Sequence, residues 1–228
     1  MKLACLVLLV LATGTEPPQP CSAPAGHLPL PAPSGGLAFE PGAKEIGLDE
    51  LVALLAQLTG QELVMTAQTR QALAQAREPL ESATPVPKEE VYTFVESVLA
   101  RQGVLIVPLS GGTRPILGVH VANEGGSTPL APLYVQADVL GELADHPALH
   151  VRLLLSFQNT DSRQIQTQLR QLLVDDTGTS QCVPVGDRGL ILQGRASEMA
   201  SLARLLLDSD EAAARWPAPA PQAEGKGE

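Results

Sequence analysis

The clearest hydrophobic pattern in the chain is a leucine stripe within Gly47–Met65. Its members recur at i, i+3, i+4 and i+7, the spacing of one face of an α-helix, and are Leu51, Leu54, Leu55 and Leu58. Asp49 is placed to cap the first turn of this helix, and Gly60 supplies the left-handed residue that ends it. A strand is predicted directly afterwards, at Leu63–Met65.

The rest of the first half predicts a small sheet with helices. Leu37–Phe39 alternates and is predicted as a first strand. A second helix is predicted from Pro87 to Gly103, with acidic residues in its first turn, where they complement the helix dipole. Strands at Val104–Val107 and Ile116–Val121 follow, joined by residues of hairpin composition. Because residues 66–84 give mixed signals, the predicted order is β-α-β-(unassigned)-α-β-β.

The second half repeats this scheme in a shorter form. Val151–Phe157 is predicted as a strand, and Asp161 as the cap of a helix whose apolar face is Ile165, Leu169, Leu172 and Leu173. Two strands follow, at Ser180–Val185 and Gly189–Leu192, and Ser197 is predicted to cap a last helix. The order β-α-β-β-α is satisfied most simply by a three-stranded sheet with both helices on one face.

Composition sets the boundaries between these units. Residues 15–36 and 211–228 are rich in Pro, Ala and Gly and are predicted to be disordered. Residues 122–148 are predicted as a linker, in which a short helix is one interpretation of 133–144. Aromatic residues make up only 3% of the chain, which favours small aliphatic cores. The predicted fold class is α+β, with two small KH-like modules at 37–121 and 149–210.

The N-terminus carries the pattern of an export signal. Lys2 is followed by an apolar run, Leu3–Ala12, that is too short to span a bilayer but typical of a signal peptide. Cleavage is predicted near Gly14, giving a signal peptide of residues 1–14, and the alternative is an uncleaved anchor. Of the cysteines that would remain, Cys21 and Cys182 are equally compatible with a disulfide and with two free thiols.

Net charge argues against two classes of partner. The chain has 15 basic and 25 acidic residues, a formal charge of −10. Phosphate backbones and anionic lipid surfaces would repel it. The sequence therefore predicts neither nucleic-acid binding nor direct membrane binding.

Particular residues, in the order of the predicted elements, carry a family resemblance. In the first half they are Leu48-Asp49, Leu51-Val52, Leu54-Leu55, Thr59-Gly60, Leu63-Val64, the run Pro87 to Tyr92, Val95, Val98-Leu99, Gly103 and Val107. In the second half they are Leu155-Ser156-Phe157, Asn159-Thr160-Asp161, Leu169, Leu172, the turn between Val185 and Leu190, Leu190-Ile191-Leu192, Ser197, Met199 and Leu202. With these residues, most of Leu37 to Asp210 resembles the periplasmic N-domains of secretins, the ring-forming outer-membrane channels of type II secretion and type IV pili.

The resemblance implies a function of docking without catalysis. It covers no channel domain, so channel formation is not implied. It implies a periplasmic protein that associates with a secretin or another secretion or pilus component, or with copies of itself, and whose contact with the outer membrane is indirect. No cofactor is implied. The alternative within the same fold is a signalling or cell-wall-associated domain, like the related module at the N-terminus of some TonB-dependent transporters.

One motif suggests an enzyme. Asp176-Thr177-Gly178 matches the aspartic-protease signature, in which two such carboxylates share a proton. Here the motif follows a run of helical period, and the chain contains no second copy, so a retropepsin-like protease would have to be a homodimer. A turn between helix and strand is the favoured interpretation.

Two further patterns have ordinary structural explanations. Gly186–Gly189 has the spacing of the KH nucleic-acid loop, but it lies between two predicted strands, which indicates a β-turn. His146 and His150 have the spacing of helical metal ligands, but Pro147 between them interrupts the helix. Because phosphate-binding, nucleophile-elbow and Cys-x-x-Cys motifs are also absent, no residue is predicted to be catalytic, cofactor-binding or metal-binding.

Overall fold

A computed structural model describes residues 27–39, 44–80, 84–110, 115–122, 131–172 and 180–215. These residues form a mixed α+β structure, as predicted. The signal peptide, Cys21, Asp176 and the tail after residue 215 lie outside the described residues, so the predictions made for them stay predictions. None of the described helices is both long enough and apolar enough to cross a membrane.

The first half contains a ribbon and a sheet. Its elements are β1 (Glu45–Gly47), α1 (Leu48–Thr59), β2 (Glu62–Val64), α2 (Ala67–Gln75), β3 (Arg77–Pro79), α3 (Val91–Arg101), β4 (Val104–Ser110) and β5 (Ile116–Val121). β1 and β3 form a two-stranded antiparallel ribbon. The N-terminal sheet has the order β2-β5-β4, with β5 parallel to β2 and antiparallel to β4.

Helix α1 ends as predicted and begins differently. Gly60 has φ of 67°, and its N–H donates to the Ala56 carbonyl. The predicted cap at Asp49 was wrong, because β1 runs directly into the helix and Gly47 is the residue before it. Asp49 lies in the first turn instead, 3.7 Å from the Arg77 guanidinium. The buried face also differs from the predicted stripe: Val52 is buried with Leu51 and Leu55, whereas Leu54 and Leu58 are only partly buried.

One other expectation for this half was wrong, and the segment left unassigned has a definite structure. Leu37–Phe39 is not a strand, because Leu37 makes a single bridge to Val86 and no ladder follows. The unassigned segment after β2 forms α2 and β3. The Thr66 side chain accepts from the Thr69 N–H and caps α2.

The second half contains a four-stranded sheet. Its elements are β6 (Leu133–Val135), α4 (Leu140–Leu143), β7 (His150–Ser156), α5 (Ser162–Leu172), β8 (Gln181–Val185), β9 (Gly189–Arg195) and α6 (Ala196–Arg215). The order of this C-terminal sheet is β6-β7-β9-β8, so the predicted three-stranded sheet was wrong. The extra strand β6 comes from the segment predicted as linker and pairs in parallel with β7.

The two helix caps predicted here have different outcomes. Asp161 caps α5, because its carboxylate accepts from the Arg163 N–H at 2.8 Å. Ser197 does not cap α6, which begins one residue earlier, at Ala196, directly after β9. The sheet and the helix meet without a loop, so no capping side chain lies between them.

One connected set of buried apolar side chains runs through both halves. The outer edge of β4 meets the segment that leads into β7: Ile106 bridges Leu149, and the Ile106 N–H donates to the Ala148 carbonyl at 2.9 Å. The segment predicted as a linker therefore contributes to the core, beginning with Leu133 and Val135 of β6.

Residues 27–39, called the strap below, also contact both halves. Leu28 is buried, and its N–H donates to the Glu142 carboxylate at 2.9 Å. The Tyr92 hydroxyl donates to the Pro31 carbonyl at 3.0 Å. The prediction of a disordered stalk over 15–36 therefore does not hold for 27–36, because a proline-rich segment can still bury occasional leucines and donate its remaining amides.

Candidate functional site

The sequence motifs do not assemble into an active site within the described residues. Gly186–Gly189 forms the tight connection between β8 and β9, with Gly186 at φ of 64°, as the β-turn prediction required. His146 and His150 face different partners: Glu96 for the former and His120 for the latter. Across the ranges that the structure describes, no three metal-ligating side chains cluster.

The C-terminal sheet has one covered and one exposed face. Along β7 the exposure alternates, with Leu153 and Leu155 buried and Leu154 39% exposed. Leu154 pairs with Ile191, and Ile191 pairs with Val183 on the outer strand, so the three side chains form one row. Val183 is 48% and its neighbour Val185 is 47% exposed. The term open face is used below for Leu154, Val183, Val185 and Ile191.

A polar row borders the open face. Arg152 pairs with Gln193 across the two central strands, and its guanidinium donates to the Gln193 Oε1 at 2.8 and 3.2 Å. Tyr134 on β6 is the next member of this row. An apolar centre with a polar border is the usual anatomy of a protein–protein interface.

The edge of β8 is less suited to pairing than its face. Pro184 lies in the middle of this outer strand and removes one backbone donor. Natural sheets use proline in this way to prevent unwanted strand addition. The face, more than the edge, is therefore the surface that β8 offers to a partner.

The first half presents a different surface, an acidic cleft of about 240 Å³ beside α1 and the β1–β3 ribbon. Its lining residues are Ala38, Phe39, Glu45, Ile46, Glu50, Leu54 and Leu80. Glu45 and Glu50 are exposed and form no ion pair with any cation in the described ranges, whereas Asp49 has Arg77 beside it. The volume is smaller than that of pockets for drug-sized ligands, so the cleft suits a single cationic side chain with an apolar stem.

A buried acid lies where the two halves meet. Glu96 on α3 is fully buried; its Oε1 is 2.7 Å from the His146 Nδ1, and its Oε2 accepts from the Ala148 N–H at 3.1 Å. Burial alone would lower the pKa of His146, but the hydrogen bond and the charge of Glu96 together raise it. Sequence reasoning missed Glu96, because one acid between Val95 and Val98 gives no signal of its own.

A second buried acid fastens the end of α6. Asp210 accepts from the N–H groups of Gln158 and Asn159 and from the Thr160 hydroxyl, each at 2.8 Å. Burial opposes ionisation of Asp210, yet these hydrogen bonds outweigh it and hold the pKa below the ordinary value. The carboxylate thereby fixes the loop after β7.

Comparison with known proteins supports the fold. No protein-family model and no curated protein matches the sequence. Among solved structures, a chain of the Klebsiella pneumoniae type II secretion system outer membrane complex, with PulD, PulS and the PulC HR domain, is 17% identical and superposes with a TM-score of 0.53. That match covers 76% of this chain and 27% of the other, so this chain spans about a quarter of its length.

Two smaller structures also match. One is the enterotoxigenic Escherichia coli GspC–GspD complex, with 16% identity, 77% and 99% coverage of this and that chain, and a TM-score of 0.28. The other is the N-terminal domain of the secretin XcpQ from Pseudomonas aeruginosa, with 14% identity, 77% and 63% coverage, and a TM-score of 0.25. The chain therefore shares its fold with part of the Klebsiella secretion-complex chain, in agreement with the sequence resemblance to secretin N-domains.

Proposed function

We propose that this chain is a non-enzymatic docking module of an envelope secretion assembly and that it acts in the periplasm. The open face carries the proposal, because three exposed aliphatic side chains and the partly exposed Ile191 lie together on neighbouring strands. Exposed apolar patches with polar borders mark sites of protein association. The shared fold indicates the class of partner, since the similar Klebsiella chain comes from a type II secretion outer membrane complex.

The open face is a better docking surface than the exposed edge strand β2 of the N-terminal sheet. Val64 on β2 is 46% exposed, but its same-face neighbour on that strand is the charged Glu62. Val183, by contrast, continues an apolar row across three strands. Docking through the open face buries contiguous apolar area, at about 25 cal/mol per Å² before the costs of association.

The proposed partner is a secretin-type envelope component, and self-association through the same face is the related possibility. In the proposed arrangement the chain consists of the two modules predicted from the sequence. Strand β6 belongs to the second module, and the two modules share one core. The acidic cleft supplies a separate contact, for a basic side chain of the partner. The likeness to secretin domains also supports the absence of an enzymatic role.

A binding experiment with charged variants tests the proposal. Val183→Glu together with Val185→Glu places two carboxylates on the open face, and Val64→Glu is the matched control on an equally exposed valine. Binding to the purified N-terminal domains of the secretin from the same genome should weaken at least about tenfold for the double variant, the effect of 1.4 kcal/mol, and stay unchanged for the control. Equal binding by the double variant and the unaltered protein would contradict the docking surface.

The non-enzymatic assignment has its own test. The purified chain should show no pepstatin-sensitive cleavage of peptide substrates at acidic pH. A peptidase activity abolished by Asp176→Asn would replace the docking proposal with a protease. Binding to a TonB-type protein or to peptidoglycan, without binding to any secretin domain, would favour the signalling alternative.

A further inference from the structure

Three of the four histidines of the chain lie where its two halves meet, and the fourth, His27, lies on the strap. His27 on the strap is 2.7 Å from the carboxylate of Glu142 on α4. His146 meets Glu96 on α3, and the rings of His120 on β5 and His150 on β7 have centroids 6.0 Å apart. The side chain whose charge changes near neutral pH is thus concentrated at the junction, the contact region of β4, β5 and α3 with residues 142–150.

The first buried contact favours a charged histidine. Glu96 approaches His146 from α3, and Tyr92 on the same helix packs edge-on against the ring, with centroids 5.5 Å apart. The other acids facing His146 are its neighbour Asp145 and, from α4, Glu142, both of which favour the protonated ring. Since the second oxygen of Glu96 holds the Ala148 N–H, this contact reaches the backbone pairing between Ile106 and Leu149.

The second buried contact favours a neutral histidine. His150 is buried, and neither ring nitrogen makes a hydrogen bond in the structure. The groups that face it are His120 from β5, Arg152 from its own strand and Arg195, its register partner on β9. None of these is an acid. Burial, His120 and Arg152 lower the pKa of His150 to about 4.

The two contacts respond to pH with opposite signs. The His146 contribution is complete below the unfolded histidine pKa, about 6.5, and is lost as pH rises through the raised folded value. The His150 contribution is complete above about 6.5 and is lost as pH falls toward 4. Their sum is greatest near pH 6.5 and declines on both sides.

We propose that the junction is a two-sided pH-sensitive latch, closed most firmly at nearly neutral pH, released by acid at His150 and by base at the Glu96–His146 pair. A closed latch holds the acidic cleft and the open face in a fixed relation, so a partner that contacts both binds best near pH 6.5. The latch itself rests on the junction geometry alone, whereas this consequence for binding rests on the proposed docking function.

Amide hydrogen exchange at the junction tests the latch directly. The Ile106 N–H donates to the Ala148 carbonyl, and the Ala148 N–H donates to Glu96, so both amides exchange when the junction opens. NMR protection factors of the full chain, corrected for intrinsic rates, should peak near pH 6.5. They should fall about tenfold toward pH 5, where the lowered pKa of His150 acts, and should also fall toward pH 8 as His146 loses its proton. The Leu192 amide, inside the C-terminal sheet, should vary less. Protection that is flat with pH, or that follows Leu192, overturns the proposal.

A conservative variant separates the fall in protection toward pH 8, the alkaline limb, from the fall toward pH 5, the acid limb. Glu96→Gln keeps an acceptor for the Ala148 N–H and removes the charge, so it should abolish the alkaline limb and leave the acid limb. His27→Asn, at the exposed strap contact, is the control and should leave both limbs unchanged. Should Glu96→Gln fail to fold, ring-proton titration of the unaltered protein decides: His146 must titrate above about 6.5 and His150 well below it. A reversed order, or two midpoints near 6.5, overturns the latch.

Discussion

The two larger sheets bury their side chains in different ways. In the N-terminal sheet, β4 has five consecutive buried residues from Val104 to Pro108, so both of its faces are covered. In the C-terminal sheet, β7 alternates strictly from Val151 to Ser156, so one face is open. A strand covered on both faces needs a continuous apolar run, whereas a half-covered strand needs polar residues facing outward. Leu154 is an exception, because it is an apolar residue on the outward face of a half-covered strand. This exception locates the proposed docking surface.

Alanine substitutions in neighbouring positions give the largest expected effects and test the contrast between the sheets. Leu105→Ala and Ile106→Ala in β4 should each lower the free energy of unfolding by about 2–5 kcal/mol, because both side chains are fully buried. In β7, Leu153→Ala should cost as much and Leu154→Ala less than about 1 kcal/mol. Urea denaturation followed by circular dichroism measures all four. Equal losses at Leu153 and Leu154 would show that the open face is covered.

The contact between the two halves should depend strongly on the buried Glu96 and only weakly on the more exposed Glu142. Glu96→Ala leaves the Ala148 N–H and His146 without their acceptor and should cost about 3 kcal/mol of unfolding free energy. Glu142→Ala removes the more exposed contacts to His27 and Leu28 and should cost less than about 1 kcal/mol. Chemical denaturation at pH 6.5 compares them. A larger loss for Glu142→Ala would mean that the strap, and not the junction, joins the halves.

A smaller effect is expected at Asp210, which secures the loop at the end of β7. Asp210→Asn should cost about 1–2 kcal/mol at pH 7, because the amide replaces only one of the two carboxylate oxygens as acceptor. The lowered pKa contributes stability above the ordinary carboxyl value that is lost as pH falls through the lowered value. The difference between the variant and the unaltered protein should therefore shrink as pH falls below the ordinary carboxyl pKa of about 3.9. A difference independent of pH would point to a purely steric loss.

The smallest effect on stability is expected for charge on the open face. Val183→Glu should change the free energy of unfolding by no more than about 0.5 kcal/mol, because the side chain is half exposed. Differential scanning calorimetry at neutral pH checks this. A destabilisation comparable to that of Leu153→Ala would indicate that β8 belongs to the core.

Long periodic segments were predictable and short contacts were not. Helix α1 and its stop at Gly60, the β4–β5 hairpin and the β8–β9 turn follow from leucine spacing and turn chemistry. Strand β6 was missed because three residues are too few to show a period, although Leu133 and Val135 are buried around Tyr134. Residues 133–135 form a strand because they pair with β7.

The functional surfaces were the least predictable part. Leu154 stands between two other leucines, and only the register with Ile191 shows that it faces outward. Glu96 has the composition of an exposed helical residue and is buried because the residues around His146 pack on α3. Both depend on contacts between elements distant in sequence, which local patterns do not encode.

Site-specific photocrosslinking in the native envelope tests the docking claim most directly. A photoreactive amino acid would replace Val183 on the open face or, as the matched control, Val64 on the edge of the N-terminal sheet. The account predicts that the probe at position 183 captures a secretin-type component and that the probe at position 64 captures much less of it. Capture from position 64 with none from position 183, or no secretion component from either, would contradict the assignment of the open face.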